Sequence, residues 1–328
     1  MHILIIGGSI FLGKAMIDSA LKSGHTITVF NRGISNPHFQ HKDITVLHGD
    51  RNDGFEILDG MHVDAVIDTC GYFPKSIAIS AQYFANKHIQ YCFISTLSVF
   101  ADMSISNDES GELCTTDNPE ADTIDGENYG ALKVLCEQTL LSMIPDALIL
   151  RPGLIVGPHD ITDRFTWWPL RVGMKERLQG TMMAPGDAMS TEWEFIDVRD
   201  LADFALLLLN KKKSGIYNVN GERIPLVEII KESESYFNHS TKVQWTQDDV
   251  LLSKNAQPWN EIPLWIPESE SSLKGFHRTN TTKAKSAGLI IRPLKNTIHD
   301  TLDWALDRPS TYKLKAGYSE QREYEFIT

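Results

Sequence analysis

The chain opens MHILIIGGSIFLGKAMIDSALKSGHTITVF, and this opening constrains the fold more than any other stretch. Residues 3–6 form a continuous apolar run, as a strand covered on both faces should. Glycines at 7, 8 and 13 follow at once. Residues 12–23 then carry an apolar stripe of Ala15, Met16, Ala20 and Leu21, which reads as a helix closed by Gly24. A second apolar run at 26–30 completes a strand–loop–helix–strand unit. Such a unit buries its strands in a parallel sheet with helices on its faces.

The alternation continues, with strands expected at 44–47, 65–69, 91–95 and 147–150. Between them a short helix is expected at 55–58 and longer ones at 76–87 and 129–143. The fold class is therefore α/β, a doubly wound parallel sheet of the Rossmann type. After Gly157 the pattern becomes irregular and tryptophan-rich, with Trp167, Trp168, Trp193, Trp259 and Trp265. Helices are expected at 199–209, 225–237, 281–287 and 294–306, a strand at 216–219, and a Pro-, Ser- and Glu-rich loop at 255–274. Residues 1–157 should form the sheet domain, with 195–220 returning to it. Residues 158–194 and 221–328 should form a smaller, interleaved substrate-binding lobe.

A glycine-rich turn between a strand and a helix suits a phosphate, because backbone N–H groups and the helix dipole meet there. Gly7 and Gly13 fit the outer positions of a Gly-x-x-Gly-x-x-Gly dinucleotide loop, but the middle position is Ile10. A branched residue resists positive φ. Either Ile10 takes an ordinary conformation with its side chain turned aside, or dinucleotide binding is lost. Gly8 offers a second flexible point. After the second strand, an Asp or Glu would accept from a ribose 2′-hydroxyl and favour NAD. Asn31 and Arg32 stand there instead. Asn31 does not repel a 2′-phosphate and Arg32 can pair with one, so NADP(H) is expected in preference to NAD(H). Asp50 and Arg51 are expected at the adenine end. Ser9, Phe11, Thr69, Arg151 and Pro152 complete the expected cofactor-binding set.

The second constellation is YGALK, Tyr129 to Lys133. On a helix these two residues share a face. A lysine ammonium beside a phenol lowers its pKa, and such a phenol moves a proton at an alcohol or carbonyl. The lysine can also bond the nicotinamide ribose. The strand at 91–95 leads into Thr96, Leu97 and Ser98 at the sheet edge where ligands bind. Thr96 is the candidate to hold the substrate oxygen, with Ser95 or Ser98 as alternatives.

Taken together, GGSIFLG, HGDRND (48–53), ISTLSVF (94–100), YGALK, RPGLIVGP (151–158) and FIDVRDLA (195–202) resemble the short-chain dehydrogenase/reductase superfamily in its extended or atypical branch. This branch holds the NAD-dependent epimerase/dehydratase-like proteins, and an atypical subgroup in it has a GGxxxxG loop. The resemblance implies that Thr96, Tyr129 and Lys133 are the catalytic triad and that Ile10 is compatible with cofactor. It also implies a homodimer. Sugar-nucleotide dehydratases of the family carry Asp-Glu after the catalytic Thr. Leu97 and Ser98 occupy those positions here, which argues against that elimination.

Candidate substrate contacts are Tyr72, Ser98, His159, Asp163, Arg164 and Trp167, with Arg171 nearby. They combine charge with flat apolar surface, which suits an anionic or ring-bearing ligand. The net charge of −12 argues against nucleic acid as a partner. The cysteines Cys70, Cys92, Cys114 and Cys136 make no CxxC or Cys/His cluster, so neither a metal site nor a disulfide framework is expected. The first apolar run is too short for a signal peptide, and no run reaches membrane-span length. The expected setting is the cytoplasm. The leading expectation is an oxidoreductase or epimerase that interconverts a secondary alcohol and a carbonyl on a small polar molecule, such as a sugar or sugar nucleotide. The alternative is a non-catalytic dinucleotide or RNA binder, including a cofactor-binding redox sensor, on the same fold.

Overall fold

The computed structural model describes residues 1–36 and 39–328. It divides into two compact units. The first comprises Met1–Gly153, Val198–Asn220 and Thr279–Ile290, and the second Leu154–Asp197, Gly221–Arg278 and Ile291–Thr328.

In the first unit the apolar runs become β1 (His2–Ile6), β2 (Thr26–Asn31), β3 (Ile44–His48), β4 (Ala65–Asp68), β5 (Gln90–Ile94) and β6 (Leu148–Pro152). The helices between them are α1 (Phe11–Lys22), α2 (Pro74–Phe84) and α3 (Tyr129–Met143). With the strand Gly215–Val219 they form one seven-stranded sheet, in the order Gly215–Val219, β6, β5, β4, β1, β2, β3, and every pairing is parallel. Ile3, Leu4 and Ile5 are fully buried, each worth roughly 1.5–3 kcal/mol of apolar burial. The helix Val198–Asn210 lies beside α1, and Ser19 donates to Asp203 between them.

The sheet's outer edge takes a segment that sequence reading placed in the other lobe. The helix Thr282–Ala287 packs on the strand Gly215–Val219. Asn280 donates its backbone N–H to the Asn107 carbonyl, and Asn218 donates its amide to the same carbonyl and to that of Asn280. Those bonds bring Thr279–Ile290 into the first unit.

The second unit has its own core, built on Trp167, Trp168, Trp193, Phe165 and Phe195. The helices Trp167–Gly173, Leu226–Phe237 and Leu294–Leu306 pack on one another, and the strands Thr181–Pro185 and Lys242–Thr246 pair in parallel. The 255–274 stretch is more regular than expected: Pro258–Trp259 pairs with Ile262–Pro263. The helices not foreseen include Trp167–Gly173 and Glu320–Ile327. The latter buries Glu323, whose carboxylate accepts from Arg171 Nε at 2.9 Å and from the Met183 N–H at 2.9 Å.

All four cysteines are free thiols. Cys92 and Cys136 are buried, while Cys70 is half-buried just past β4. Among the described residues, no helix is long and apolar enough to cross a membrane, and no group of three or more His, Cys, Asp or Glu side chains is arranged to hold a metal ion.

Candidate active site and cofactor loop

The loop after β1 shows how Ile10 is accommodated. Gly7 and Gly8 take φ of +99° and +84°, where a Cβ is strained. Ile10 has φ −140° and ψ 158°, ordinary extended backbone, and its side chain is 38% exposed. It turns aside. Gly13 is needed for space: a Cβ on it would lie 2.2 Å from Gly8 Cα. A Cβ on Gly7 would lie 2.5 Å from Thr69 Oγ1. The demand for positive φ therefore falls on positions 7 and 8, and on Phe11 at +35°, but not on position 10.

Helix α1 begins at this loop with no side-chain cap and no acid in its first turn. Its N-terminal dipole and amides thus suit an external anion. This cradle of bare backbone fits a dinucleotide pyrophosphate. Asn31 braces it, donating to the Gly7 carbonyl at 3.2 Å and accepting from Gly33 N–H at 2.8 Å. Arg32 is exposed, with Nη1 3.9 Å from an Asp50 carboxylate oxygen. Thr69 donates its hydroxyl to the Ile6 carbonyl at 2.9 Å.

Two arginines expected at the cofactor are turned inward. Arg51 is buried and grips Asp68 through both Nη atoms, at 2.9 and 2.6 Å. Arg151 is 1% exposed and pairs with Glu137 at 2.6 Å, and Ser95 donates to the same carboxylate at 2.5 Å. A guanidinium taken from water needs a carboxylate beside it, and here each has one. Ser95 is thereby committed to Glu137. Pro152 is buried at the end of β6.

At the end of β5, Thr96 donates to Ser98 Oγ at 3.2 Å and accepts from Ser98 N–H at 3.1 Å. Its hydroxyl also favours the ionised form of the Tyr129 phenol, which begins α3. Lys133, one turn on, is held by backbone. Its ammonium donates to the carbonyls of Gly71 and Ile94, both at 2.8 Å. Burial pushes the Tyr129 phenol up to about 12, against the opposing influence of the Thr96 hydroxyl, and burial pushes Lys133 down to about 8. Burial thus reverses the lowered phenol pKa expected from the YxxxK spacing. The lysine is spent on backbone carbonyls, and desolvation dominates the phenol. Tyr72 is 44% exposed, with its ring 5.5 Å from Lys133 Nζ.

Of the candidates in the second unit, Asp163 and Trp167 are structural. Asp163 is fully buried and accepts from Arg308 at 2.7 Å, Tyr312 at 2.9 Å and Lys315 N–H at 3.0 Å. Trp167 lies in the core against Trp168 and Tyr318. Arg171 is buried on Glu323. Arg164 reaches Asn260 at 3.0 Å and lies over the Trp259 ring. The His159 ring stands 5.4 Å from that of Trp304.

Sequence reading missed a cavity of about 420 Å³ in this unit, whose lining includes Glu192, Arg223, Lys274, His277 and Arg278. His277 accepts the Glu194 N–H at Nδ1, and burial pushes its pKa down to about 4. The lining comes from residues 190–192, 223 and 266–278, which are far apart in sequence, so no contiguous motif signals it.

A model of the NAD-dependent epimerase/dehydratase family matches residues 3–220. The chain belongs to this family. It is an NAD(P)-dependent enzyme of the short-chain dehydrogenase/reductase type. The 2-alkyl-3-oxoalkanoate reductase of Stenotrophomonas maltophilia (strain K279a) is 28% identical over 260 residues, 71% of this chain and 74% of that one. Isoflavone reductase homolog P3 of Arabidopsis thaliana is 34% identical over 79 residues, which span 21% of this chain and only 26% of that relative. The crystal structure of UDP-glucuronic acid 4-epimerase from Bacillus cereus in complex with NAD shares the fold, with TM-score 0.63 and 16% identity over 93% of this chain and 98% of that one.

Gly13→Ala should lower stability by about 1–3 kcal/mol in urea unfolding and weaken cofactor binding, because the new methyl meets backbone. Lys133 yields a pH signature. Its folded-state pKa of about 8 lies below the ordinary lysine value of 10.5, so between these pH values the unfolded chain binds more protons. Stability should therefore rise from about pH 8 to 10.5 relative to Lys133→Met, read as a wild-type-minus-variant Tm difference that becomes more positive with pH.

Proposed function

We propose that the protein reduces a carbonyl to a secondary alcohol, or runs the reverse, on a small polar substrate, with NADP(H) preferred over NAD(H). The feature that carries this reading is the Tyr129 phenol at the start of α3, acted on by the Thr96 hydroxyl at the end of β5, with Lys133 one helical turn on. When bound, the nicotinamide exchanges hydride with the substrate carbon. Thr96 orients the substrate oxygen, and Tyr129 gives or takes the proton there. A phenol held at about 12 is protonated at neutral pH and so can donate. That protonation state serves carbonyl reduction. Epimerisation through a transient ketone uses the same groups.

Arg32 supports the NADP(H) preference. Its guanidinium is exposed and only loosely matched by Asp50, a pair that a 2′-phosphate can replace. Leu97 is buried and Ser98 is bonded to Thr96, so this edge offers no carboxylate pair for eliminating water. The cavity in the second unit has the size for a small molecule, and its mixed charges suit a polar one. Tyr72 and Ser98 remain the substrate-contact candidates of the first unit, and His159 and Arg164 those of the second.

Tyr129→Phe tests the assignment. Turnover with a panel of ketones and aldehydes should fall by about 100-fold or more while cofactor affinity holds. Unchanged turnover would remove Tyr129 from the chemistry.

A further inference from the structure

The Arg51–Asp68 pair is a buried ion pair that the chemistry above does not use. Asp68 is completely buried at the end of β4 and accepts four donors: Arg51 Nη1 at 2.9 Å, Arg51 Nη2 at 2.6 Å, the Tyr91 hydroxyl at 2.7 Å and the Cys70 N–H at 3.1 Å. Arg51 Nη2 also donates to Ser80 Oγ on α2 at 2.6 Å. Burial alone would raise the Asp68 carboxyl, but the guanidinium beside it holds it below its ordinary value. Such a pair is a poor source of net stability, since apolar residues of similar size often replace one at no loss. Its use lies in what it holds in place.

It holds two loops at the carboxyl edge of the sheet. Arg51 follows Asp50, which caps the short turn Arg51–Asp53 and faces Arg32. The Ser76 hydroxyl donates to Asn52 in the same turn, at 2.6 Å. On the other side, the Cys70 N–H fixes the start of the loop after β4. The next residue, Gly71, supplies one of the two carbonyls on which Lys133 hangs. That loop also abuts Gly7, where a Cβ would meet Thr69 and Cys70.

We propose that Arg51 and Asp68 are positioning residues for the cofactor, setting the Asp50–Arg32 end and the Lys133 end of its site together through one buried contact. The inference rests on the cofactor reading above. It gives Arg51 a role beneath the site in place of direct contact with adenine.

The test is the double variant Arg51→Met with Asp68→Asn. It removes both charges and leaves an amide oxygen for Cys70 and Tyr91. Dissociation constants for NADPH and NADH are measured by tryptophan fluorescence well below the unfolding temperature, beside wild type. The expected result is a folded protein whose NADPH dissociation constant rises about tenfold or more, with the NADPH-over-NADH preference reduced at least about threefold. A purely structural pair would lower Tm without moving that preference. Values within about twofold of wild type, in folded protein, would overturn the inference. If the double variant does not fold, Arg51→Lys, which keeps the charge and loses the two-point grip, is judged by the same criteria. Failure of wild type to bind either cofactor would overturn the cofactor reading itself, and this inference with it.

Discussion

Gly8 and Gly13 touch backbone to backbone, and the site is arranged around that contact. It exists because neither residue has a side chain: a Cβ at 13 would sit 2.2 Å from Gly8 Cα. The contact draws the start of α1 down onto the end of β1 and leaves the helix's first turn open at the sheet edge. With Gly7 and Gly8 both at positive φ, the chain turns sharply enough that position 10 can be ordinary extended backbone. A third spaced glycine is unnecessary, and an isoleucine can face solvent in its place.

Around this loop, charge is divided between buried and open places. Arg51 and Arg151 are sunk against Asp68 and Glu137, where they brace strands and loops. Arg32 stays outside, available to a ligand. Lys133 is intermediate: it is buried but bound to carbonyl dipoles, with no carboxylate among its hydrogen-bond partners. Burial disfavours its charge, and burial likewise holds the neighbouring phenol up. The proposed acid–base set is thus tuned by burial as much as by the spacing of its residues.

Much of the fold was legible because it is written in local patterns. The apolar run of β1 and the glycines after it are contiguous, and the helix Leu294–Leu306 falls on the bounds that its periodicity predicts. The tyrosine and lysine of α3 were legible as a helical pair for the same reason. What was not legible depends on distant partners. Arg51 meets a carboxylate 17 residues away, Arg151 one 14 away, and Asp163 an arginine 145 away. Each looked like a ligand-binding charge because its partner lies on another element. The helix Trp167–Gly173 escaped notice because two tryptophans and Pro169 leave no polar face, and Glu320–Ile327 because only Glu323 and Phe326 are buried.

The central claim is that a loop with isoleucine in its middle holds a phosphorylated nicotinamide dinucleotide. The most direct measurement is equilibrium titration of the wild-type protein with NADPH and NADH in parallel, with its tryptophans as energy donors. The account predicts saturable binding of both, with NADPH at least about tenfold tighter because Arg32 meets the 2′-phosphate. Equal affinities would contradict the role given to Arg32. Binding of neither by folded protein would contradict the cofactor loop itself.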